Sequence, residues 1–150
     1  MNMDPVDAMN ALLGMEDDSS LNEYQRRVCL LNRFEAECLN GGWDQYFWNS
    51  SGDHADETEK YLREFGYKSI CEAFRLVRDA MGGAIPRDRD ERIDLLDKFR
   101  FEEDLSDRIH FLVSEEVNEV FSDLCRYIKD HETDFKQTRE RRKPNKGGAG

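Results

Sequence analysis

The sequence predicts an all-α protein, folded as a compact single-domain bundle of five to seven helices. Apolar residues recur at helical spacing in several segments, and no segment shows the sustained alternation that marks a β-strand. Glycine, asparagine and proline separate these segments, as expected where helices end. A chain of 150 residues is long enough for one hydrophobic core and too short for two comfortable domains.

The first part of the chain favours two helices. Residues 5–15 are compatible with a short one. Ser20-Leu21-Asn22-Glu23 fits a capping box, in which the serine caps the backbone and the glutamate reaches back to it. A helix is predicted from there to about Leu39, on an apolar stripe of Tyr24, Val28, Leu31 and Cys38 beside Leu30 and Phe34. Asn40-Gly41-Gly42 ends it, because asparagine and glycine tolerate the left-handed conformation of a C-cap.

Five more helices are predicted in order. Asp53 is expected to cap the first, which ends before Gly66. The second, at about 67–81, has the clearest periodicity, with an apolar face of Ile70, Phe74, Val77 and Met81. Asp88 looks like the cap of a helix to about Phe101, and residues 105–112 allow a short helix. The last begins at 114–116, where acids suit the positive end of the helix dipole, and its predicted apolar face is Val117, Phe121, Leu124 and Ile128.

Charge divides the chain into an N-terminal segment (1–19), an acidic helical domain (20–131) and a charged, disordered basic tail (132–150). The formal net charge is −11. Residues 136–150 hold six of the 22 basic residues and one of the 33 acidic ones, which leaves 16 basic and 32 acidic residues, a net charge of −16, in residues 1–135. A body this acidic repels nucleic acid and anionic membranes and attracts basic partners.

No metal, cofactor or membrane attachment is expected. The four cysteines lie far apart and form no C-x-x-C pair, so we predict reduced, buried thiols rather than zinc ligands. No apolar run approaches the length of a bilayer span, and the N-terminus lacks the pattern of a secretion signal. The expected location is the cytoplasm.

Acidic residues line up on two of the predicted helices. One face carries Asp90, Asp94 and Asp97, and another carries Glu116, Glu119 and Asp123. Neighbours on a helix face lie about 5–6 Å apart, and DNA carries about one negative charge per 1.7 Å of axis. A rigid carboxylate array of this kind can therefore substitute for phosphates on a DNA-binding protein. The alternative is that these faces only provide solubility.

The segment 40–53 differs from the ordinary amphipathic helices around it. It holds both tryptophans, two more aromatics and three glycines among amides, hydroxyls and acids. Its polar groups, at residues 44–54, could converge into an active site, but no known catalytic motif is present. A structural role is favoured: the aromatic residues would be buried, and Gln45 and Asn49 would satisfy the backbone of the turns.

Residues 40–53 resemble the hallmark of the DNA-mimic-protein-like domain family of bacteria, approximately N-G-G-[FW]-x-Q-Y-F-x-N-S-x-G. The chain matches at every specified position, and 86–92 is similar to the family's P-x-D-R-x-x-R segment. The resemblance covers about residues 20–130. The signature residues, to which the resemblance gives a mainly structural role, are Asn40, Gly41, Gly42, Trp43, Gln45, Tyr46, Phe47, Asn49, Ser50, Gly52 and Asp53.

The resemblance implies an all-α domain whose acidic surface imitates the DNA backbone, with a homodimer as one expected assembly. The expected function is therefore non-enzymatic: the protein binds a basic partner, a DNA-binding transcriptional regulator, and blocks its DNA-binding surface. Because mimicry depends on charges outside the signature, periodicity and clustering select the candidate partner-binding acids, which are Asp56, Glu57, Glu64, Asp90, Asp94, Asp97, Glu116, Glu119 and Asp123.

Two other functions stay open at this point. An immunity-type protein that neutralises a basic nuclease toxin would use the same acidic surface. A small enzyme would instead use the polar groups of residues 44–54, and it predicts a solvent-open pocket that gathers Asp44, Tyr46, Asn49 and Asp53.

Overall fold

The structure, a computed structural model, describes residues 3–13 and 18–141, with the side chains of residue 18 and of 137–141 left aside. Within these ranges the chain is helical and contains no strand, so the all-α prediction is confirmed. The α-helices are α1 (Pro5–Leu13), α2 (Glu23–Gly41), α3 (Trp43–Trp48), α4 (Ala55–Glu64), α5 (Lys68–Ala80), α6 (Arg89–Asp97), α7 (Glu103–Ser114), α8 (Val117–Asp130) and α9 (Glu132–Arg141), and 3₁₀ turns span Asp18–Ser20 and Ser50–His54.

The described residues form two α-helices more than the seven that were predicted. The first is α3, which lies inside the segment that the sequence placed between helices. The second is α9, which occupies the first ten residues of the segment predicted as a disordered tail. Phe135 in α9 is buried, so this part of the predicted tail is anchored by an apolar side chain. Residues 142–150 lie outside the described residues.

The chain contacts divide into two units, Leu30–Phe121 and the pair Met1–Cys29 with Ser122–Gly150. In the second of these, the terminal unit, α1 packs against α9. Its described core includes Met9, Leu12 and Phe135. A hydrogen bond from the Asn22 side chain to the Asp134 carbonyl, at 2.8 Å, joins the start of α2 to α9. This unit thus brings together residues more than 100 positions apart.

The capping box of α2 lies two residues beyond the predicted one. The Asn22 side chain accepts from the Gln25 amide at 2.8 Å, and the Gln25 side chain accepts from the Asn22 amide at 3.0 Å. Ser20, which we predicted as the cap, instead ends a 3₁₀ turn. Both Asn22 and Gln25 also donate to the Asp134 carbonyl, so long-range contacts to α9 hold the later box in place.

The central unit, Leu30–Phe121, is built on glycine-terminated helices. Gly42, Gly66, Gly82 and Gly83 all have positive φ, as predicted for residues that end helices. Within this unit α5 packs against α7 and α4, and α3 packs against α6. The predicted face of Ile70, Phe74, Val77 and Met81 is buried, which confirms the clearest periodic segment.

Helix boundaries and one core position differ from the predictions. Asp88 caps α6 as expected, its carboxylate accepting from the Glu91 amide at 3.0 Å, but the helix ends at Asp97 rather than near Phe101. On α8 the predicted core residue Phe121 is 41% exposed, and Val120 is buried in its place. Val120 lies three residues after Val117 and four before Leu124, so the helix turns Phe121 outward.

None of the helices in the described ranges has the length and hydrophobicity that a membrane crossing requires.

Candidate partner-binding surface

The signature segment folds into α3 followed by the 3₁₀ turn Ser50–His54. Gly42 starts α3 with φ +92, a left-handed conformation that explains a glycine at this position. Asn40 and Gly41 are exposed at the end of α2, and Ser50 is exposed at the start of the turn. The segment is therefore helical almost throughout, which the sequence did not predict.

Three of the four aromatic side chains of the signature lie in the core of the central unit. Trp43, Tyr46 and Phe47 are 4%, 1% and 2% exposed, as the structural interpretation predicted. Trp48, which was also predicted to be buried, is only half-buried, because its ring lines an open groove with the Arg100 guanidinium 4.8 Å from its centroid. The Tyr46 ring meets Phe34 edge-on at 5.0 Å between centroids, and Phe47 meets Phe74 in the same manner at 5.3 Å. These distances are typical of stabilising aromatic pairs. Burial also raises the pKa of the Tyr46 hydroxyl.

The amides of the signature converge on one carboxylate from α2. Glu37 accepts from Gln45 Nε2 at 2.9 Å, from Asn49 Nδ2 at 2.8 Å and from Ser51 Oγ at 3.4 Å. We predicted that the side chains of Gln45 and Asn49 would hydrogen-bond to the backbone of the turns. Their NH₂ groups donate to Glu37 instead, so the prediction is wrong for these groups. A single acid replaces those backbone partners because α2 runs directly into the signature and places Glu37 beside both amides.

A fully buried arginine from α6 holds the far end of the signature. Arg92 donates to the carbonyls of Phe47 at 2.6 Å and Asn49 at 2.8 Å, and to Asp53 Oδ1 at 2.8 Å. It also donates to the carbonyls of Pro86 and Arg87, each at 3.0 Å. The five contacts satisfy a charge that is seldom buried without partners. Arg92 thus ties α6 to the signature.

Arg92 contacts Asp53 and leaves no room for a side chain at Gly52. Asp53 was predicted to cap the next helix, but α4 begins at Ala55 without a side-chain cap, and the Asp53 carboxylate accepts from Arg92 instead. A Cβ on Gly52 would lie 2.8 Å from both Arg92 Nε and the Tyr46 carbonyl oxygen. The signature therefore requires glycine at this position for space.

The polar groups of the signature do not gather at one site. An open groove of about 330 Å³ includes Asp44 and Asn49 in its lining, and a separate groove of about 150 Å³ includes Asp53 and His54. Asp44 Oδ2 is 2.8 Å from Arg100 Nη2. Tyr46 is buried in the core. The four residues that an enzyme of this segment would use are thus divided among two grooves and the core.

The predicted acids on α6 form an exposed row. Asp90, Asp94 and Asp97 are all exposed, on the side of the helix opposite the buried Arg92 and Leu96. Asp97 lies 3.6 Å from Arg100. Within the described part of the chain, Asp90 and Asp94 make no ion pair. Two of the three carboxylates are therefore available to a partner without breaking an internal salt bridge.

Several of the predicted acids on α4, on α8 and at Glu116 just before α8 already have partners within the protein. Glu116 Oε1 accepts from the Ile70 amide at 2.9 Å, which places it at the start of α5, and Glu57 accepts from the Tyr61 hydroxyl at 2.9 Å. Asp123 lies 3.8 Å from Arg126. The remaining predicted acids of these helices are exposed, namely Asp56, Glu64 and Glu119. Glu116 thus has a structural contact that periodicity alone did not reveal.

Further exposed acids lie beside the row on α6 or follow it along the chain, and they were not selected from the sequence. Glu91 is exposed beside Asp90, and the linker to α7 and its first two turns add exposed carboxylates at Glu102, Glu103, Asp104 and Asp107. Their signal in the sequence is local charge density rather than helical periodicity. The candidate surface, which we call the α6–α7 acidic surface, consists of the exposed acids Asp90, Glu91, Asp94, Asp97, Glu102, Glu103, Asp104 and Asp107.

The described residues thus combine a helical fold with an exposed acidic surface. The chain belongs to the DMP19-like protein family, a DNA-mimic-like domain family whose sequence model matches residues 19–131. No curated protein and no solved structure matches the chain. The match confirms the family resemblance drawn from the signature.

Proposed function

We propose that the protein is a non-enzymatic DNA mimic that binds a basic partner, a DNA-binding transcriptional regulator, and blocks that partner's DNA-binding surface. The observation that carries the proposal is the exposed row of Asp90, Asp94 and Asp97 on α6 in a member of a DNA-mimic-like family. Four helical residues rise about 6 Å, so the row repeats negative charge at the few-ångström spacing of the DNA backbone.

The cost of this arrangement supports a binding role. Like charges four residues apart destabilise a helix, and Asp90 and Asp94 have no compensating ion pair within the described residues. A net charge of −16 over residues 1–135, from 16 basic and 32 acidic residues, adds a long-range field. Such a field accelerates encounter with a basic protein and makes binding sensitive to salt.

The proposal also covers location and assembly. We place the protein in the cytoplasm, because a partner that regulates transcription would be found there and because its four cysteines would stay reduced there. The family resemblance also suggests a homodimer. Light scattering over a range of protein concentration measures the molar mass and so tests this assembly. A monomer at all concentrations would leave the acidic surface of one chain as the whole mimic.

Affinity purification from the native cell tests the proposal directly. The tagged protein is used as bait at low salt, eluted with high salt, and the recovered proteins are identified by mass spectrometry. The captured regulator is then titrated with its own duplex DNA in the presence of the acidic protein. We expect competition that weakens as ionic strength rises.

Three outcomes separate the proposal from its rivals. A captured nuclease toxin whose activity is inhibited would identify an immunity-type protein. Recovery of no basic protein, or an affinity that does not change between low and high salt, would contradict both binding functions. Turnover of a small molecule that is lost in Asp44→Asn and Asp53→Asn variants would instead support the enzyme.

A further inference from the structure

A cavity with a positive lining lies at the junction of α4 and α5 in the central unit, although the protein as a whole is strongly acidic. Its volume is about 370 Å³. The charged residues around it are four cations and two carboxylates: Arg63, Lys68, Arg75, Arg78, Glu59 and Glu72. The lining therefore carries a net charge of +2, opposite in sign to the −11 of the chain.

Two of the cations are neutralised by the two carboxylates. Glu59 is buried and accepts from Arg78 through both carboxylate oxygens. Arg75 donates to Glu72 and, at 2.8 Å, to Asp79. Glu72 holds the pKa of Arg75 above its usual range, and Arg75 lowers the pKa of Glu72. These paired groups form the fixed part of the lining.

The other two cations are available for an anion. The Arg63 side chain is 67% exposed, and its nearest carboxylate, Glu59 at 3.6 Å, already accepts from Arg78. Lys68 is exposed and makes no ion pair with any residue in the described ranges. Arginine supplies a planar fork of donors and lysine supplies a point charge, a combination suited to phosphate or carboxylate.

The rest of the lining is largely uncharged. Tyr67 is buried and stacks against Phe65, with 6.2 Å between ring centroids. Cys71 is half-buried, and burial raises the pKa of its thiol, so it lines the cavity as a neutral group. Gly66 adds no side chain. Small-molecule sites typically combine such apolar lining with a few placed polar groups.

We propose that this cavity binds a small organic anion, with a phosphate or carboxylate held by Arg63 and Lys68 and an apolar or aromatic group beside Tyr67 and Cys71. The site is separate from the α6–α7 acidic surface in charge and in residues. Its ligand binding does not require the proposed function, so either proposal can fail alone.

Titration of the ¹⁵N-labelled full-length protein by NMR tests the site. The probes are phenyl phosphate and benzoate, which combine an anion with an aromatic ring, and inorganic phosphate and phenol, which offer one property each. We expect saturable shifts of the Gly66, Lys68 and Cys71 amides with at least one of the two aromatic anions. Inorganic phosphate and phenol should each bind about tenfold more weakly, because each lacks half of the contacts.

The double variant Arg63→Ala/Lys68→Ala should bind the better aromatic anion about tenfold more weakly than the wild type, since both charge-assisted contacts are lost. Lys98→Ala/Lys129→Ala removes the same charge from exposed positions outside the cavity and should bind within about twofold of the wild type. An absence of saturable shifts at the cavity amides with either aromatic anion would overturn the proposal. Equal loss in the two double variants would overturn it too, because it would show a general charge effect.

Discussion

Arg92 and Asp53 form an ion pair in which Nη2 and Oδ1 are 2.8 Å apart, the guanidinium having no exposed surface and the carboxylate being 37% exposed. The pair joins the two segments on which the family resemblance depends, residues 40–53 and 86–92. Asp88, in the second segment, caps α6 and so fixes the helix that carries Arg92. The motifs of the family therefore meet around Arg92 inside the central unit.

Replacing Arg92 by methionine should destabilise the protein by about 3–5 kcal/mol, because four backbone carbonyls and a carboxylate lose their donor together. Urea unfolding followed by circular dichroism measures the change. Arg89→Met is the matched control: Arg89 is exposed and, among the residues that the structure describes, donates only to the Trp48 carbonyl, at 2.8 Å. We expect a loss below about 1 kcal/mol there. An equal loss of stability in both variants would show that the contacts of Arg92 are no more important than the single contact of Arg89.

The burial of Arg92 could not have been predicted from its place in the sequence. Lys, Arg, Asp and Glu are almost never fully buried unless paired, and its acceptors lie at residues 47, 49, 53, 86 and 87. The same holds for the capping box of α2, since both Ser20-Leu21-Asn22-Glu23 and the residues 22–25 fit the pattern. The box at residues 22–25 is the one whose side chains also donate to the distant Asp134 carbonyl. Local patterns locate helices, and long-range contacts choose among equivalent caps.

Glu37 should tolerate glutamine better than alanine. In Glu37→Gln one oxygen can still accept from Gln45 and Asn49 while the new amide donates to the Ser51 hydroxyl, so stability should change by less than about 1 kcal/mol. Glu37→Ala leaves both amides without their acceptor and should cost about 1–3 kcal/mol. Chemical unfolding of the two variants in parallel checks the difference. A glutamine variant as unstable as the alanine one would show that the charge, rather than the acceptor geometry, is required.

Gly52→Ala should destabilise the protein by about 1–3 kcal/mol, because the added methyl would press against backbone at the Tyr46 carbonyl as well as against Arg92. Ser51→Ala, one residue earlier, removes a long 3.4 Å hydrogen bond to Glu37 and serves as the control. Thermal unfolding of both variants measures the effect. A Gly52→Ala variant as stable as the wild type would contradict the close approach of Arg92 to this turn.

Glu35→Gln should stabilise the protein at pH 7. Glu35 is 8% exposed, one of its carboxylate oxygens has no hydrogen-bond partner among the described residues, and burial raises its pKa above the ordinary 4.5. A raised pKa means that the folded state resists deprotonation, so the wild type loses stability as pH rises past the ordinary value. The advantage of the variant should therefore be present at neutral pH and vanish below about pH 4.5. Unfolding free energies of both proteins from pH 4 to 8 test this, and a constant difference would refute it.

Periodicity was sufficient to predict which face of α6 carries its three aspartates. Asp90, Asp94 and Asp97 lie on one exposed face of α6 because Arg92 and Leu96 occupy the other. Glu116, directly before α8, shares a predicted face with Glu119 and Asp123, yet its carboxylate accepts from the Ile70 amide of α5. Sequence spacing identifies a shared face, while the neighbours that the fold brings to that face decide which acids stay available.

Reversal of charge on α6 tests the candidate surface once a partner has been captured. Asp90→Lys/Asp94→Lys should weaken binding at least about tenfold and reduce its salt dependence, because two phosphate-like charges become repulsive. Asp7→Lys/Asp130→Lys changes the net charge equally at exposed positions of the terminal unit, and binding should stay within about threefold. Asp7, like Asp90, lies in the first turn of its helix, so the two variants carry a similar dipole cost. Affinities measured by calorimetry at two salt concentrations check both, and equal weakening would assign binding to the overall charge instead of to α6.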